Sequence, residues 1–145
     1  MKSIVGHKSQ IENIRKTLEA KRMPHAFLFT GPEGIGKKSI AIEILKSSAC
    51  VKTRGNTIGY CGKCSGCIKF ESSSHPDMFF IQPDGSQIKI PQIRELQSKL
   101  VYHPLEANQK MVLIDDAHKM NEEAANAILK TLEEPPELTH FMLIS

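Results

Sequence analysis

Tryptophan is absent from this 145-residue chain and tyrosine occurs only twice. The platform of aromatic side chains on which single-stranded bases stack is therefore poorly supplied. The formal charge is +3 at neutral pH, too slight for the basic footprint left by contacts to many phosphates. No apolar run approaches the roughly 20 residues that a helix needs to cross a bilayer. None follows Met1-Lys2-Ser3 in the manner of a secretory signal. The expected location is the cytoplasm, with no membrane partner, where disulfides are disfavoured. Internal repeats and low-complexity segments are also missing, and the length suits one domain with an adequate core.

Cysteine is scarce but concentrated. All four residues, Cys50, Cys61, Cys64 and Cys67, fall in one stretch, the last three in Cys61-Gly62-Lys63-Cys64-Ser65-Gly66-Cys67. Thiolates at this spacing on glycine-bearing turns suit one tetrahedral Zn²⁺. Two disulfides or free thiols are the alternatives, and the cytoplasmic expectation weighs against the former. His75 is a further candidate ligand or a loop residue ahead of Pro76. Lys52, Arg54, Lys63 and Lys69 lie near the cysteines and read as a solvated face or as a nucleic-acid contact. The interleaved aromatics are only Tyr60 and Phe70.

A hydroxyl is missing from the most informative motif. Gly31-Pro32-Glu33-Gly34-Ile35-Gly36-Lys37-Lys38-Ser39 follows G-x-x-x-x-G-K-[ST] up to its last position. In a complete loop the glycines let backbone N–H groups curl round a phosphate, the lysine adds a cation, and the hydroxyl ligates Mg²⁺. Lys38 stands in the hydroxyl's place. Ser39 comes one residue late, and one residue turns a helical side chain by about 100°. The flanks are those of a phosphate-binding loop: a short apolar run at Ala26–Thr30, then Ile40, Ala41, Ile44 and Leu45 at helical spacing. The helix would aim its N-terminus at a bound phosphate. The alternative is a glycine turn that binds nothing. Downstream, Met111-Val112-Leu113-Ile114 runs into Asp115-Asp116, a buried strand ending in acids. As a Walker B motif, Asp115 would hold Mg²⁺ through water. Asp116 stands where Glu is usual and holds an attacking water differently if at all, so no catalytic residue is assigned. An ordinary strand-to-loop transition is the alternative.

Helix and strand alternate, which implies an α/β fold with a mostly parallel sheet covered on both faces. A helix is expected from about Ser9 to Lys21, with Ser9 and Glu12 forming a capping box and Ile11, Ile14 and Leu18 inward. The zinc segment is expected at 50–70, with Gly55, Gly59, Gly62 and Gly66 marking turns. A strand follows at Met78–Gln82 and a helix after Pro91 with Ile93, Leu96 and Leu100 inward. Asn121 caps a helix that buries Ala125, Ile128, Leu129 and Leu132 and stops at Pro135-Pro136. Phe141–Ile144 form a last strand, and the protein is expected to continue beyond Ser145.

The run Pro24-His25-Ala26-Phe27-Leu28-Phe29 before Gly31-Pro32, the cysteine cluster behind the loop's helix, and Asn126-Ala127-Ile128-Leu129-Lys130-Thr131-Leu132-Glu133-Glu134-Pro135-Pro136 together resemble the bacterial clamp-loader subunits of DNA polymerase III. The resemblance covers essentially the whole chain. It implies an AAA+ P-loop domain over 1–145, incomplete at its C-terminus, with a zinc-binding insertion at 50–70. The implied strand order is 5-1-4-3-2, with the last strand lacking. Two subunit kinds of this family carry the zinc module. The gamma/tau motor has an intact G-K-T loop and an Asp-Glu Walker B, and this chain has neither. His75-Pro76-Asp77-Met78-Phe79-Phe80-Ile81 and Ile88-Lys89-Ile90-Pro91-Gln92-Ile93-Arg94-Glu95-Leu96 are similar to the stator kind, delta-prime.

The stator resemblance implies a part of the DNA polymerase III holoenzyme that braces the neighbouring motor. Its partners would be the gamma/tau and delta subunits and, through the complex, the sliding clamp and primed DNA. A Ser-Arg-Cys motif would lie past Ser145. ATP or ADP would meet the backbone at Gly31, Gly34, Gly36, Lys37, Lys38 and Ser39, and Val5 and Gly6 would sit near the adenine. Lys38 could offset phosphate charge in place of Mg²⁺, allowing binding without efficient hydrolysis. The surface round the loop and the Leu132–Pro136 corner, both expected at the C-terminal edge of the sheet, would face a neighbouring subunit. An active gamma/tau-like ATPase and a nucleic-acid-binding zinc module are the other two functions compatible with these residues.

Overall fold

The computed structural model describes residues 8–31 and 36–145; Val5, Gly6 and Gly34 lie outside the described residues. In chain order the elements are α1 (Lys8–Glu19), β1 (Ala26–Phe29), α2 (Lys37–Ala49), α3 (Ser65–Glu71), β2 (Met78–Ile81), α4 (Ile90–Leu100), β3 (Lys110–Ile114), α5 (Glu122–Glu133) and β4 (Thr139–Ile144). A 3₁₀ turn, Ala117–Lys119, precedes α5. The four strands form one parallel sheet in the order β1-β4-β3-β2. This is the order the resemblance implies for the first four strands.

Parallel neighbours need helical crossovers, and the crossovers cover the sheet. β3 is buried at every position, so its apolar run is continuous rather than alternating. Met111 and Leu113 face α2, packing with Ile40, Ala41, Ile44, Leu45 and Met142. Val112 and Ile114 face the other way, towards Ile93, Leu96, Ala124, Ile128 and Phe141 on α4, α5 and β4. Gln97 ties α4 to α5 through the Thr131 hydroxyl at 2.9 Å.

Four sequence expectations need correction. α1 starts at Lys8, so Ser9 stands in the first turn rather than at the cap. In α5 the buried positions are Ala124 and Ile128, while Leu129 is 55 % exposed. The α4 contact selects the face carrying Ala127 and Thr131, and Leu129 falls outside it. Gly66 is not a turn marker but lies inside α3, where a Cβ would come 1.9 Å from the Ala49 carbonyl oxygen. Lastly, α5 begins beyond the C-terminal end of β3 and runs back against it. The Leu132–Pro136 corner therefore emerges at the opposite edge of the sheet from the glycine loop, leading into Thr139, which pairs with Lys110.

The N-terminal edge of the sheet holds two buried charges. Asp77 accepts the N–H groups of Leu105, Glu106 and Ala107 at 2.7 to 2.8 Å. Lys110 donates to the carbonyls of Leu100 and Tyr102, and burial lowers its pKa. Both ions are satisfied by backbone, as burial demands, and together they fix the loop between α4 and β3.

Candidate functional site

α2 has a candidate site at each end. At its C-terminus, Cys50 is the capping residue and its N–H bonds the Lys46 carbonyl at 3.0 Å. Cys64 caps the N-terminus of α3, its Sγ accepting the Cys67 N–H at 3.4 Å. Gly66 lets α3 press against the end of α2, and that approach brings Cys64 and Cys67 to Cys50. All four Sγ atoms lie within 4.8 Å of one another. Cys61 to Cys67 is 4.0 Å and Cys64 to Cys50 is 3.9 Å, too long for disulfides, and the thiols are free. Four sulfurs at about 2.3 Å from one tetrahedral centre stand about 3.8 Å apart, so the set could hold a metal ion.

The surrounding polar groups favour thiolates. The N–H of Val51 points at Cys64 Sγ, that of Gly62 at Cys67 Sγ, and those of Lys63 and Cys64 at Cys61 Sγ, at 3.3 to 3.4 Å. Burial opposes ionisation of Cys50, yet the N–H groups of Cys61, Thr53 and Lys52 and the Thr53 hydroxyl outweigh it and bring the thiol down to about 6. Cys67 is pushed up to about 12 by burial and by its thiol neighbours Cys64 and Cys50. Ionising one thiol here thus obstructs ionising the next, and a cation at the centre removes the obstruction. His75 belongs elsewhere: its Nδ1 accepts the Asp77 N–H at 3.1 Å, and burial lowers its pKa.

The N-terminus of α2 opens on a cavity of about 710 Å³, lined by Gly31, Gly36, Lys37, Lys38, Asp115 and Ser145 among others. Gly36, with φ 84° and ψ 18°, turns the chain from loop into helix in a conformation that costs glycine little. Lys37 Nζ donates to the Gly31 carbonyl at 2.7 Å and also to the main-chain oxygen of Ser145, the residue after β4. Among the described residues no Asp or Glu side chain pairs with it. Lys38 Nζ sits 3.0 Å from Asp115 Oδ2, while Asp115 Oδ1 accepts the Asp116 N–H at 3.0 Å. Asp116 adopts a left-handed backbone with φ 51°, and its carboxylate stands 3.8 Å from Lys119. Ser39 reaches the cavity wall, as does His118, which the motifs did not flag. Its place three residues beyond Asp115 was the available signal.

The family model described as "DNA polymerase III, delta subunit" matches residues 6–145. The chain belongs to this family. It is 39 % identical over 129 residues to DNA polymerase III subunit delta' of Bacillus subtilis, covering 89 % of this chain and 38 % of that protein. It is 38 % identical over 140 residues to subunit tau/gamma of Haemophilus influenzae, covering 97 % of this chain and 20 % of the relative. The crystal structure of a DNA polymerase III gamma subunit-related protein from Thermotoga maritima superposes with a TM-score of 0.65 at 25 % identity, over 94 % of this chain and 39 % of that one. The chain thus spans well under half the length of these relatives. Among the described residues no helix is long and apolar enough to cross a membrane.

Proposed function

We propose that this chain is part of a delta-prime-type stator in a cytoplasmic clamp loader of DNA polymerase III. It contributes to loading the sliding clamp by bracing gamma/tau and delta subunits rather than by hydrolysing ATP. The observation that supports this over the motor role is the Lys38–Asp115 pair. A hydrolytic site needs Mg²⁺ between the loop hydroxyl, the Walker B carboxylate and the phosphates. Here an ammonium stands on that carboxylate, and Asp116 is drawn towards Lys119. The four cysteines would hold one structural Zn²⁺, since four thiolates leave no open position for chemistry. The partner surface is assigned to the cavity side, because the Leu132–Pro136 corner lies at the other edge of the sheet.

The test is reconstitution of the full chain with gamma/tau and delta, with phosphate release measured under Mg²⁺ and assembly followed by analytical ultracentrifugation. Lys37→Ala in this chain should leave the rate of the complex within about twofold, because the turnover belongs to other subunits. A rate that collapses would make this chain a motor. Failure of the unmodified chain to assemble would remove the clamp-loader role itself.

A further inference from the structure

β2 is an edge strand with an open side: among the described residues it pairs with β3 alone. The Asp77 and Ile81 carbonyls accept the N–H groups of Met111 and Asp115. By the alternation of a strand, Phe79 turns to β3 as well, while the N–H and C=O of Phe80 and the C=O of Met78 point to the open side. Met78-Phe79-Phe80-Ile81 carries neither a charge nor a proline, the residues that commonly keep an edge from pairing. The Phe80 side chain is 48 % exposed and rests edge-on against Phe70, with 5.7 Å between ring centroids. On the other face of the sheet a groove of about 340 Å³ runs along β2, walled by Gln92, Glu95, Leu96 and Lys99 of α4. Glu95 and Lys99 pair at 3.3 Å, and both are exposed.

We infer that this edge pairs with the same edge of a second copy of the chain, joining two sheets about a two-fold axis. Like edges meet antiparallel in such a contact, and the contact is isologous. Within β2 only Phe80 offers both N–H and C=O outward, since the Met78 N–H bonds the His75 carbonyl. Phe80 therefore lies at the axis and exchanges two backbone bonds with Phe80 of the second copy, and their exposed rings meet on the α3 side. On the opposite face the two α4 helices run side by side in opposite directions. α4 passes back along β2 from Gln92, whose Nε2 donates to the Gln82 carbonyl at 2.8 Å. It ends at Leu100, whose carbonyl takes the ammonium of Lys110, next to the Met111–Met78 pair. Glu95 and Lys99 thus straddle the level of Phe80, and the two-fold axis sets each against the opposite charge of the second copy. This self-complementary pattern selects a second copy over an unrelated strand. The edge is only four residues long, so the dimer is weak, with a dissociation constant of about 10 to 100 μM. The inference goes beyond the stator reading and does not rest on it.

Sedimentation velocity of the unmodified chain from about 5 to about 500 μM tests this, and a monomer–dimer equilibrium is expected across that range. Glu95→Lys should raise the dissociation constant about tenfold or more, because symmetry counts each reversed charge twice. Glu95→Lys combined with Lys99→Glu rebuilds the pattern and should restore the dimer. Phe80→Pro removes the outward N–H, leaves the ladder to β3 its donors, and should abolish association. Circular dichroism checks that each variant is folded. Hydrogen exchange on the unmodified chain locates the contact independently of any substitution: the Phe80 amide should slow as concentration rises, while the Phe79 amide, already turned to β3, should not change. A single monomer up to about 500 μM, a dimer indifferent to Glu95→Lys, no recovery in the double variant, or a Phe80 amide whose exchange ignores concentration would overturn the proposal. Assembly with gamma/tau and delta is read separately, so failure of the stator role leaves this result standing.

Discussion

The two ends of α2, about 20 Å apart for 13 residues, treat positive charge in opposite ways. At the C-terminal end four sulfurs converge, and the N–H groups round them favour a negative centre that could hold a cation. At the N-terminal end the cation is part of the chain, because Lys38 is already on Asp115. One end could therefore be completed by a metal ion from outside, while at the other the chain's own lysine already pairs with the carboxylate.

The widest gap between the ends should appear when metal is withdrawn. The purified chain is expected to carry one Zn²⁺, and Cys67→Ser, or prolonged chelation, should release it and unfold the segment from Cys50 to Glu71. Structural zinc contributes about 10 kcal/mol or more in small zinc-dependent peptides. A loss of several kcal/mol in urea unfolding is therefore expected here, where α2 and the sheet also support the segment. Metal analysis giving well under one zinc per chain, or an unfolding curve indifferent to chelation, would break the comparison at its strongest point.

A smaller effect sharpens it. The cysteine segment leans on the loop between α4 and β3 through the Lys69–Glu106 ion pair and the contact of Arg54 with Asn108 at 3.5 Å. That loop is fixed by Asp77, which is 1 % exposed and accepts three N–H groups. Asp77→Ala leaves those donors unpaired in a buried place, at a cost of about 3 kcal/mol. Zinc should nevertheless stay bound, because none of the four sulfurs loses a partner. Loss of zinc alongside stability in this variant would show that the centre is propped by the loop rather than by the ends of α2 and α3.

Much of this was legible in the sequence because it depends on short-range pattern. α2 follows from the spacing of Ile40, Ala41, Ile44 and Leu45, the α5 cap from Asn121, and the cysteine set from its spacing. What was not legible depends on which faces meet. Gly66 looks like a turn residue until α3 is seen to press on Ala49, and Leu129 looks like core until α4 selects a neighbouring face of α5. The Leu132–Pro136 corner was misplaced for a topological reason: a helix joining parallel strands returns the chain to the edge from which the strands start. Position 38 was readable as a lost hydroxyl, but its partner was not, because Asp115 is 77 residues away in sequence.

The smallest effect on stability should come from the N-terminal end, in Lys38→Met. The ion pair it removes is 3.0 Å long but open to solvent on the lysine side, and exposed pairs contribute about 0 to 1 kcal/mol. Methionine keeps the length and helix propensity of lysine, so α2 should start as before and urea unfolding should shift by less than about 1 kcal/mol. The variant also leaves Asp115 without its cation, which is tolerable because Oδ1 still accepts the Asp116 N–H and the cavity is open to water. If the pair instead held the loop against β3, the loss would exceed 2 kcal/mol, on the scale of a buried charge stranded by removal of its partner. A value that large would mean that both ends of α2 are structural, and that Lys38 is a strut rather than a cation available for exchange.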